Sequence, residues 1–160
     1  MSNKSWQNSI RKAVNRCKQP PKIAVIGIGH ELRGDDAAGL AVVHLLNEQA
    51  NLLVIEAGTS PENHTGKLRR FQPDLVLLID AAQMDLEPGE ICVLDPESLD
   101  GFGASTHTMP LTLIAHYLSA DFGCEVLLIG IQPAQTCFGA PLSPQVKHST
   151  ETISRELEAL

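Results

Sequence analysis

Four side chains in this sequence combine a reactive type with a telling position: Asp36, Asp80, His107 and, beside the first, His30. Asp35-Asp36 close a glycine-rich segment that runs from Gly27 to Gly34. Asp80 ends the apolar run Leu75-Val76-Leu77-Leu78-Ile79. His107 lies in Ser105-Thr106-His107-Thr108-Met109-Pro110, where a hydroxyl N-cap and a proline in the first turn predict a helix start. Taken singly, an Asp at a strand end is often a turn cap, and a His at a helix start is often a surface group. Two carboxylates and an imidazole brought to one edge by three different elements are another matter, because they form a ligand set for a transition metal such as nickel or zinc. His30, next to Glu31 in the glycine loop, is close enough in sequence to Asp36 to be a further ligand.

The loop itself excludes two common uses. A dinucleotide fingerprint needs G-x-G-x-x-G, and after Gly27 and Gly29 the third glycine is Gly34, two positions late. A phosphate loop fits G-x-x-x-x-G from Gly29 to Gly34. It then needs Lys followed by Ser or Thr, where this chain has two acids that would repel a phosphate. Fixed negative charge at the start of a helix suits a cation instead, since the macrodipole favours the ionised carboxylates there. One of the two acids is expected to cap the helix, which leaves the other for function.

The elements that must position these groups follow from the hydrophobic pattern. Lys22-Ile-Ala-Val-Ile-Gly27 is a β-branched apolar run of the kind buried on both faces of a parallel sheet. The glycine loop and a helix to about Gln49 follow it. A second strand at 52–56 leads to the loop Gly58-Thr59-Ser60-Pro61-Glu62-Asn63, a weak helical segment near 67–71, and the third strand, which delivers Asp80. Glu87-Pro88-Gly89-Glu90 turns the chain into Ile91-Cys92-Val93-Leu94, a hairpin-like return that predicts a mixed sheet. A helix through about Ser119, a fifth strand at 125–130 and a helix from about Pro144 to Leu160 complete the chain. Strands alternating with helices predict a three-layer α/β/α sandwich around a mostly parallel five-stranded sheet. Ligands then bind outside the carboxyl ends of the strands, where Asp36 and Asp80 fall.

Length and composition bound the rest. A chain of 160 residues with 43% hydrophobic residues suits one globular domain. No apolar run approaches the ~18 residues of a membrane span, and no secretory h-region opens the chain, so the cytoplasm is the expected compartment. The net charge is −7, yet residues 1–20 carry five basic side chains and no acid, so the body from Pro21 onward is at −12. Such a body repels nucleic acid. The basic head could dock on that acidic body, on a partner or on a membrane surface. Trp6, Ile10, Val14 and Cys17 recur at helical spacing, so residues 1–20 read as a basic amphipathic helical extension, packed on a single domain at 21–160 and outside its site. Cys17, Cys92, Cys124 and Cys137 have no C-x-x-C spacing, which excludes a zinc knuckle or a disulfide scaffold. Cys92 and Cys124 read as small buried hydrophobes. His44, His64, His116 and His148 read as surface or packing residues.

Five pieces in order, Gly27-Ile28-Gly29 with Gly34-Asp35-Asp36, the loop 58–63, Leu78-Ile79-Asp80-Ala81, Ser105-Thr106-His107-Thr108-Met109-Pro110-Leu111 and Gly130-Ile131-Gln132-Pro133, together resemble the nickel-iron hydrogenase maturation endopeptidases. T-H-x-M-P-L with G-I-Q-P is most similar to the branch that processes the hydrogenase of formate hydrogenlyase systems. The resemblance runs from Lys22 to the last helix. It implies an enzyme that removes a C-terminal extension from the hydrogenase large-subunit precursor once nickel is inserted. It also implies that Asp36, Asp80 and His107 contact a nickel carried by the substrate rather than a resident cofactor. Two departures stand out: His30 where the family usually has Asn after G-x-G, and Ala37 where it usually has Gly after the acid pair.

The rival from another class is a receiver-like magnesium-binding phosphoacceptor, which also places an acid pair after the first strand and an Asp after the third. Here glycine-loop residues separate the acid pair from the strand. Gly130-Ile131-Gln132-Pro133 stands where a receiver has its lysine. No Ser or Cys with an adjacent base stands out, so hydrolysis without a covalent acyl-enzyme is expected.

Overall fold

The computed structural model describes residues 4–94, 96 and 110–160. Its elements in chain order are α1 (Ser5–Arg16), β1 (Ile23–Ile28), a 3₁₀ turn (Gly34–Ala37) leading into α2 (Ala38–His44), β2 (Leu52–Gly58), a second 3₁₀ turn (Pro61–His64) leading into α3 (Thr65–Phe71), β3 (Leu75–Ala81), β4 (Ile91–Leu94), α4 (Leu111–Phe122), β5 (Glu125–Ile131) and α5 (Pro144–Glu158). The sheet has five strands in the order β2-β1-β3-β5-β4. The pairs β1–β2, β1–β3 and β3–β5 are parallel and β4–β5 is antiparallel. The hairpin-like return before β4 is the source of that one antiparallel edge.

Strand after strand is apolar on both sides, as a sheet covered on both faces requires. Every residue of β1 is buried, as are six of the seven in β3. On one face Val25, Leu77, Ile79, Ile129 and Ile131 pack against α1, α2 and α5. On the other Ile26, Leu78 and Leu128 pack against Leu68 of α3 and Ile114 and Leu118 of α4. The three-layer α/β/α sandwich expected from the alternation is the observed architecture.

The first helix is part of this core. Trp6, Ile10 and Ala13 are buried in the cluster that includes Ile129 and Ile131. Of the docking surfaces open to the basic head, it takes its own acidic body: Arg11 pairs with Glu156 and Arg16 with Glu125.

Several boundaries differ from those expected. The helix after the glycine loop ends at His44, because Gln49 and Leu52 exchange backbone hydrogen bonds in a tight return that starts β2. α1 stops at Arg16, where Cys17 is extended. The weak segment near 67–71 is a full turn of 3₁₀ helix plus α3, begun by the buried Pro61. The last helix ends at Glu158. For the helix expected after His107, α4 is observed from Leu111 to Phe122; its anticipated start at Ser105 and Thr106 lies outside the described residues.

Close approach fixes where α2 crosses the sheet. A Cβ on Gly39 would lie 2.2 Å from the carbonyl oxygen of Ile79 and 2.3 Å from that of Ile28, and one on Gly27 would lie 2.4 Å from the carbonyl of Gly39. Only hydrogen at these positions lets the helix start rest directly on the carboxyl ends of β1 and β3.

Candidate functional site

The chain leaves β1 toward β2 on one side and returns through β3 on the other, so the sheet reverses its strand order between β1 and β3. Crevices at such switch points are the usual ligand sites of open α/β sheets. Gly27 of β1 pairs in register with Ile79 of β3, and Asp80 is the next residue. The 3₁₀ turn that carries Asp35 and Asp36 packs against β3. Asp36 and Asp80 are thus delivered by adjacent parallel strands to one edge, as their sequence positions predicted.

The loop from Gly29 to Asp36 is closed by its own hydrogen bonds. Gly29 takes φ +147°, a conformation open to glycine, and a Cβ there would sit 1.9 Å from the carbonyl oxygen of Asp36. The backbone N–H of His30 donates to Oδ2 of Asp36 at 3.0 Å, the N–H of Arg33 to the carbonyl of His30 at 3.1 Å, and the N–H of Asp36 to the carbonyl of Arg33 at 3.0 Å. Asp36 is half-buried. One carboxylate oxygen is therefore tethered, while Oδ1 has no hydrogen-bond partner among the described residues. Asp80, only 4% exposed, stands at the end of β3.

Asp35 has the opposite character. It is fully buried, and both oxygens are consumed: Oδ1 accepts the N–H of Ser143 at 2.7 Å, and Oδ2 accepts the N–H of Ala134 at 2.8 Å, the N–H of Gln135 at 3.3 Å and the hydroxyl of Ser143 at 2.8 Å. Of the two adjacent acids one was expected to cap the local helix. Instead Asp35 binds a distant turn and the N-cap of α5, and α2 has no side-chain cap. Sequence spacing carries no signal for such a contact, since its partners lie about a hundred residues on.

His30 is half-buried beside Asp36, but its Nδ1 accepts the N–H of Leu32 at 3.1 Å. The neutral ring then carries its proton on Nε2, the nitrogen a metal would otherwise use. The backbone N–H of His30 is the group that holds Asp36 in this structure. Gln132, within the G-I-Q-P segment, is a residue whose role sequence reasoning left blank. It is buried; its Oε1 accepts the N–H of Met84 at 2.7 Å and of Leu86 at 3.3 Å, so it ties down the loop that follows Asp80. Met84 in turn folds over Gly130, the register partner of Asp80 on β5: a Cβ at Gly130 would lie 3.1 Å from the Met84 sulfur.

His107 lies outside the described residues. Among the described residues no group of three or more His, Cys, Asp or Glu side chains is assembled for a metal ion. The other histidines fit their bland reading: His44, His116 and His148 are exposed, with His44 paired to Glu56 at 3.0 Å. The half-buried His64 is held below its ordinary pKa by burial and by Lys67. Of the cysteines expected to be buried, Cys124 is, and burial pushes its thiol up to about 11. Cys92 is half-buried in β4, which stands at one end of the strand order.

Comparisons with known proteins converge on one group. A family model described as hydrogenase maturation protease matches residues 40–159. The hydrogenase 3 maturation protease of Escherichia coli K12 is 37% identical over 134 residues, covering 82% of this chain and 85% of its own. Among solved structures, a [NiFe] hydrogenase maturation protease, HycI, from Thermococcus kodakarensis superposes with a TM-score of 0.85 at 32% identity, covering 94% of this chain and 97% of that one. The endopeptidase HycI of Escherichia coli superposes with a TM-score of 0.77 at 34% identity, covering 86% of this chain and 90% of that one. None of these comparisons supports the receiver-like alternative.

Proposed function

This chain belongs to the hydrogenase maturation proteases, and from that premise we propose that it removes the C-terminal extension of a [NiFe]-hydrogenase large-subunit precursor after nickel insertion. The observation that carries the reading is the placement of Asp36 and Asp80 at the carboxyl edge of adjacent strands at the topological switch point, with one oxygen of Asp36 tethered by the His30 N–H and the other without a hydrogen-bond partner among the described residues. Carboxylate and imidazole ligands suit nickel. Asp36, Asp80 and His107 are the residues proposed to meet the nickel that the precursor carries, and nickel is thus cargo of the substrate rather than a resident cofactor.

In this reading metal contact is recognition. Engaging the precursor's nickel brings the scissile segment to the carboxyl edge of the sheet, so only a loaded precursor is positioned for hydrolysis, and discrimination resides in the transition state. The tether from His30 N–H to Oδ2 fixes the direction of the Asp36 carboxylate before substrate arrives, which lowers the ordering cost of that contact. Among the described residues no Ser or Cys side chain is hydrogen-bonded to a His, which favours attack by water over a covalent acyl-enzyme. No helix of the described residues is long and apolar enough to cross a membrane. The proposed setting is the cytoplasm, with the precursor as partner and nucleic acid excluded by the acidic body.

The test is processing of nickel-loaded and nickel-free precursor by the wild-type protein, Asp36→Asn, Asp80→Asn and His107→Ala, read as the mass of the large subunit. The expected result is shortening of the loaded precursor by the wild type alone. Equal processing of both precursor forms, or wild-type rates in Asp36→Asn, would remove the basis of the mechanism.

A further inference from the structure

We infer that Gln132 is a positioning residue for the proposed reaction, holding Met84 at the flank of Asp80 so that this acid keeps its place; the inference rests on the function proposed above. Residues 82–90 connect β3 to β4, and both ends of the segment are pinned to the end of β5. The N–H of Ala82 donates to the carbonyl of Ile131 at 3.0 Å, while Gly89 and Glu90 exchange bonds with the Gln132 backbone at 2.8 and 2.9 Å. Between these pins the chain reverses at Asp85, where φ is +55°. The Gln132 side chain serves that middle stretch. Both lone pairs of its Oε1 are used, on the N–H groups of Met84 at 2.7 Å and Leu86 at 3.3 Å, and its Nε2 donates to the carbonyl of Pro133 at 3.2 Å. Gln132 is only 3% exposed, so an apolar side chain there would take the acceptor from both N–H groups.

The register of the sheet says what Met84 is held against. Leu78 and Leu128 are partners across β3 and β5, and both pack on the face covered by α3 and α4. Two residues on, Asp80 and Gly130 are partners of the same parity, so the Asp80 side chain and the side chain that Gly130 lacks belong to that one face. Met84 takes the vacant position: a Cβ at Gly130 would lie 3.1 Å from its sulfur, 3.4 Å from its Cε and 3.2 Å from the Cβ of Ala82. Since paired Cβ positions on neighbouring strands are about 5 Å apart, the Met84 sulfur is within roughly 8 Å of the Asp80 Cβ. On the β1 side the fully buried Ile28 follows Gly27, the partner of Ile79, and packs on the same face. Asp80 therefore stands between Ile28 and Met84.

A buried glutamine can serve a loop simply by satisfying its backbone donors. What this one holds argues for more. Its shorter bond goes to Met84, whose side chain turns inward over the row of Asp80, whereas Asp85 and Glu87 in the same segment are exposed. Gly130 has no side chain to take over if Met84 leaves. The carboxylate would then gain rotamers and water on that flank. For an acid proposed to meet the precursor's nickel that loss matters, because a misplacement of about 1 Å costs on the order of a hundredfold in rate. Gln132 touches no reacting atom in this scheme and acts through Met84.

Methionine-methyl NMR and processing assays on the full-length protein test this together. With labelled methionine methyls, Met84 should show an NOE to the Gly130 Hα protons in the wild type and in Gln132→Glu, which keeps the acceptor, and should lose it in Gln132→Leu. On nickel-loaded precursor, Gln132→Leu and Met84→Ala should each lower kcat/KM roughly tenfold to a hundredfold at temperatures where they are folded. The double variant should fall no more than about twofold below the weaker single, because both changes remove one contact. Gln132→Glu and Met84→Leu should stay close to wild type. Ser149→Ala separates positioning from loop integrity: Ser149 donates to the carbonyl of Gly89 at the far end of the same segment, so its loss should lower stability and leave kcat/KM unchanged. Wild-type kcat/KM in Met84→Ala, multiplied losses in the double variant, a matching loss in Ser149→Ala, or an NOE that survives in Gln132→Leu would each overturn the proposal. Failure of the wild type to process any precursor would sink the function reading instead, and the NOE would still decide whether Gln132 places Met84 beside Asp80.

Discussion

Ser143, the N-cap of α5, donates both its backbone N–H and its hydroxyl to the carboxylate of Asp35, at 2.7 and 2.8 Å across 108 positions of sequence. The same hydroxyl accepts the N–H of Val146 at 3.5 Å. One buried carboxylate therefore joins the site loop to the start of the last helix. Asp36, its neighbour, has one oxygen without a hydrogen-bond partner among the described residues. The pair predicts a clean separation. Asp35→Asn replaces one accepting oxygen by an NH₂ that faces N–H donors in a buried site, and should cost about 2–4 kcal/mol of stability. Asp36→Asn keeps an oxygen for the His30 N–H and should stay within about 1 kcal/mol of wild type while losing processing. Urea unfolding beside a precursor-processing assay measures both. The reverse pattern would mean the two roles are exchanged.

The buried face of α1 makes the head part of the fold's stability. Trp6 is only 4% exposed and packs in the cluster with Ile129 and Ile131. Trp6→Ala should cost about 3–5 kcal/mol, whereas neutralising the exposed Arg16 with Gln, which removes a surface pair with Glu125, should cost no more than about 1 kcal/mol. Denaturant midpoints of the two variants against wild type decide it.

What was legible from sequence divides along physical lines. The strands are long apolar runs with little competing pattern, so the parallel sheet, the antiparallel β4 and the delivery of Asp36 and Asp80 to one edge could all be read. Helix ends could not, because they depend on contacts such as the Gln49–Leu52 return. The helical stripe of residues 5–17 was legible, but its depth of burial was not, since spacing says which face is apolar and not what covers it. The division of labour between Asp35 and Asp36 was hidden for the same reason. Partners at Ala134, Gln135 and Ser143 exist only once the chain has folded. The bond from Leu32 N–H to Nδ1 of His30 is local, yet it depends on loop geometry that residue type and spacing do not carry.

His64 should give stability a measurable slope below neutral pH. Burial, with Lys67, lowers its pKa in the folded state, while the unfolded chain titrates near 6.5. Above that pH both states hold it neutral and it contributes nothing. As pH falls through 6.5 the unfolded state takes the proton first, so stability declines until pH drops below the folded value, where the loss levels off. His64→Gln should remove this component. Urea midpoints at pH 7.5 and 5.5 should differ less in the variant than in wild type, and an equal difference would contradict the expected direction.

Thiol reactivity should rank the cysteines by exposure and pKa. Cys137 is exposed, whereas Cys124 is buried with its pKa at about 11 and donates to the carbonyl of Leu118. At pH 8 the thiolate fraction of Cys124 is about a thousandfold below unity by its pKa alone, and burial lowers its rate further. With a chromogenic disulfide reagent Cys137 should react first and Cys124 only on unfolding. Native labelling of Cys124, located by peptide mass, would show that the α4–β5 corner opens.

The start of α2 should be the least tolerant backbone in the site. Gly39 has no room for a methyl group: the carbonyl oxygens of Ile79 and Ile28 would lie 2.2 and 2.3 Å from its Cβ, and both are backbone atoms of strands that cannot rotate away. Gly39→Ala must therefore lift α2 from β1 and β3. That movement displaces the 3₁₀ turn holding Asp36 relative to Asp80, since the turn runs directly into α2. The variant should lose roughly 2 kcal/mol or more of stability, in the range of overpacked cores, and should lose processing even at temperatures where it is folded. Gly66 is the control. It lies within α3, and an added Cβ would meet only the Arg70 guanidinium, 3.8 Å away. Gly66→Ala should stabilise the protein by about 0.5–1 kcal/mol through its helix propensity, leaving processing unchanged. Thermal unfolding of both variants with parallel processing assays provides the check. A Gly39→Ala protein with wild-type stability and activity would show that the close crossing of α2 over β1 and β3 does not set the spacing of the two acids.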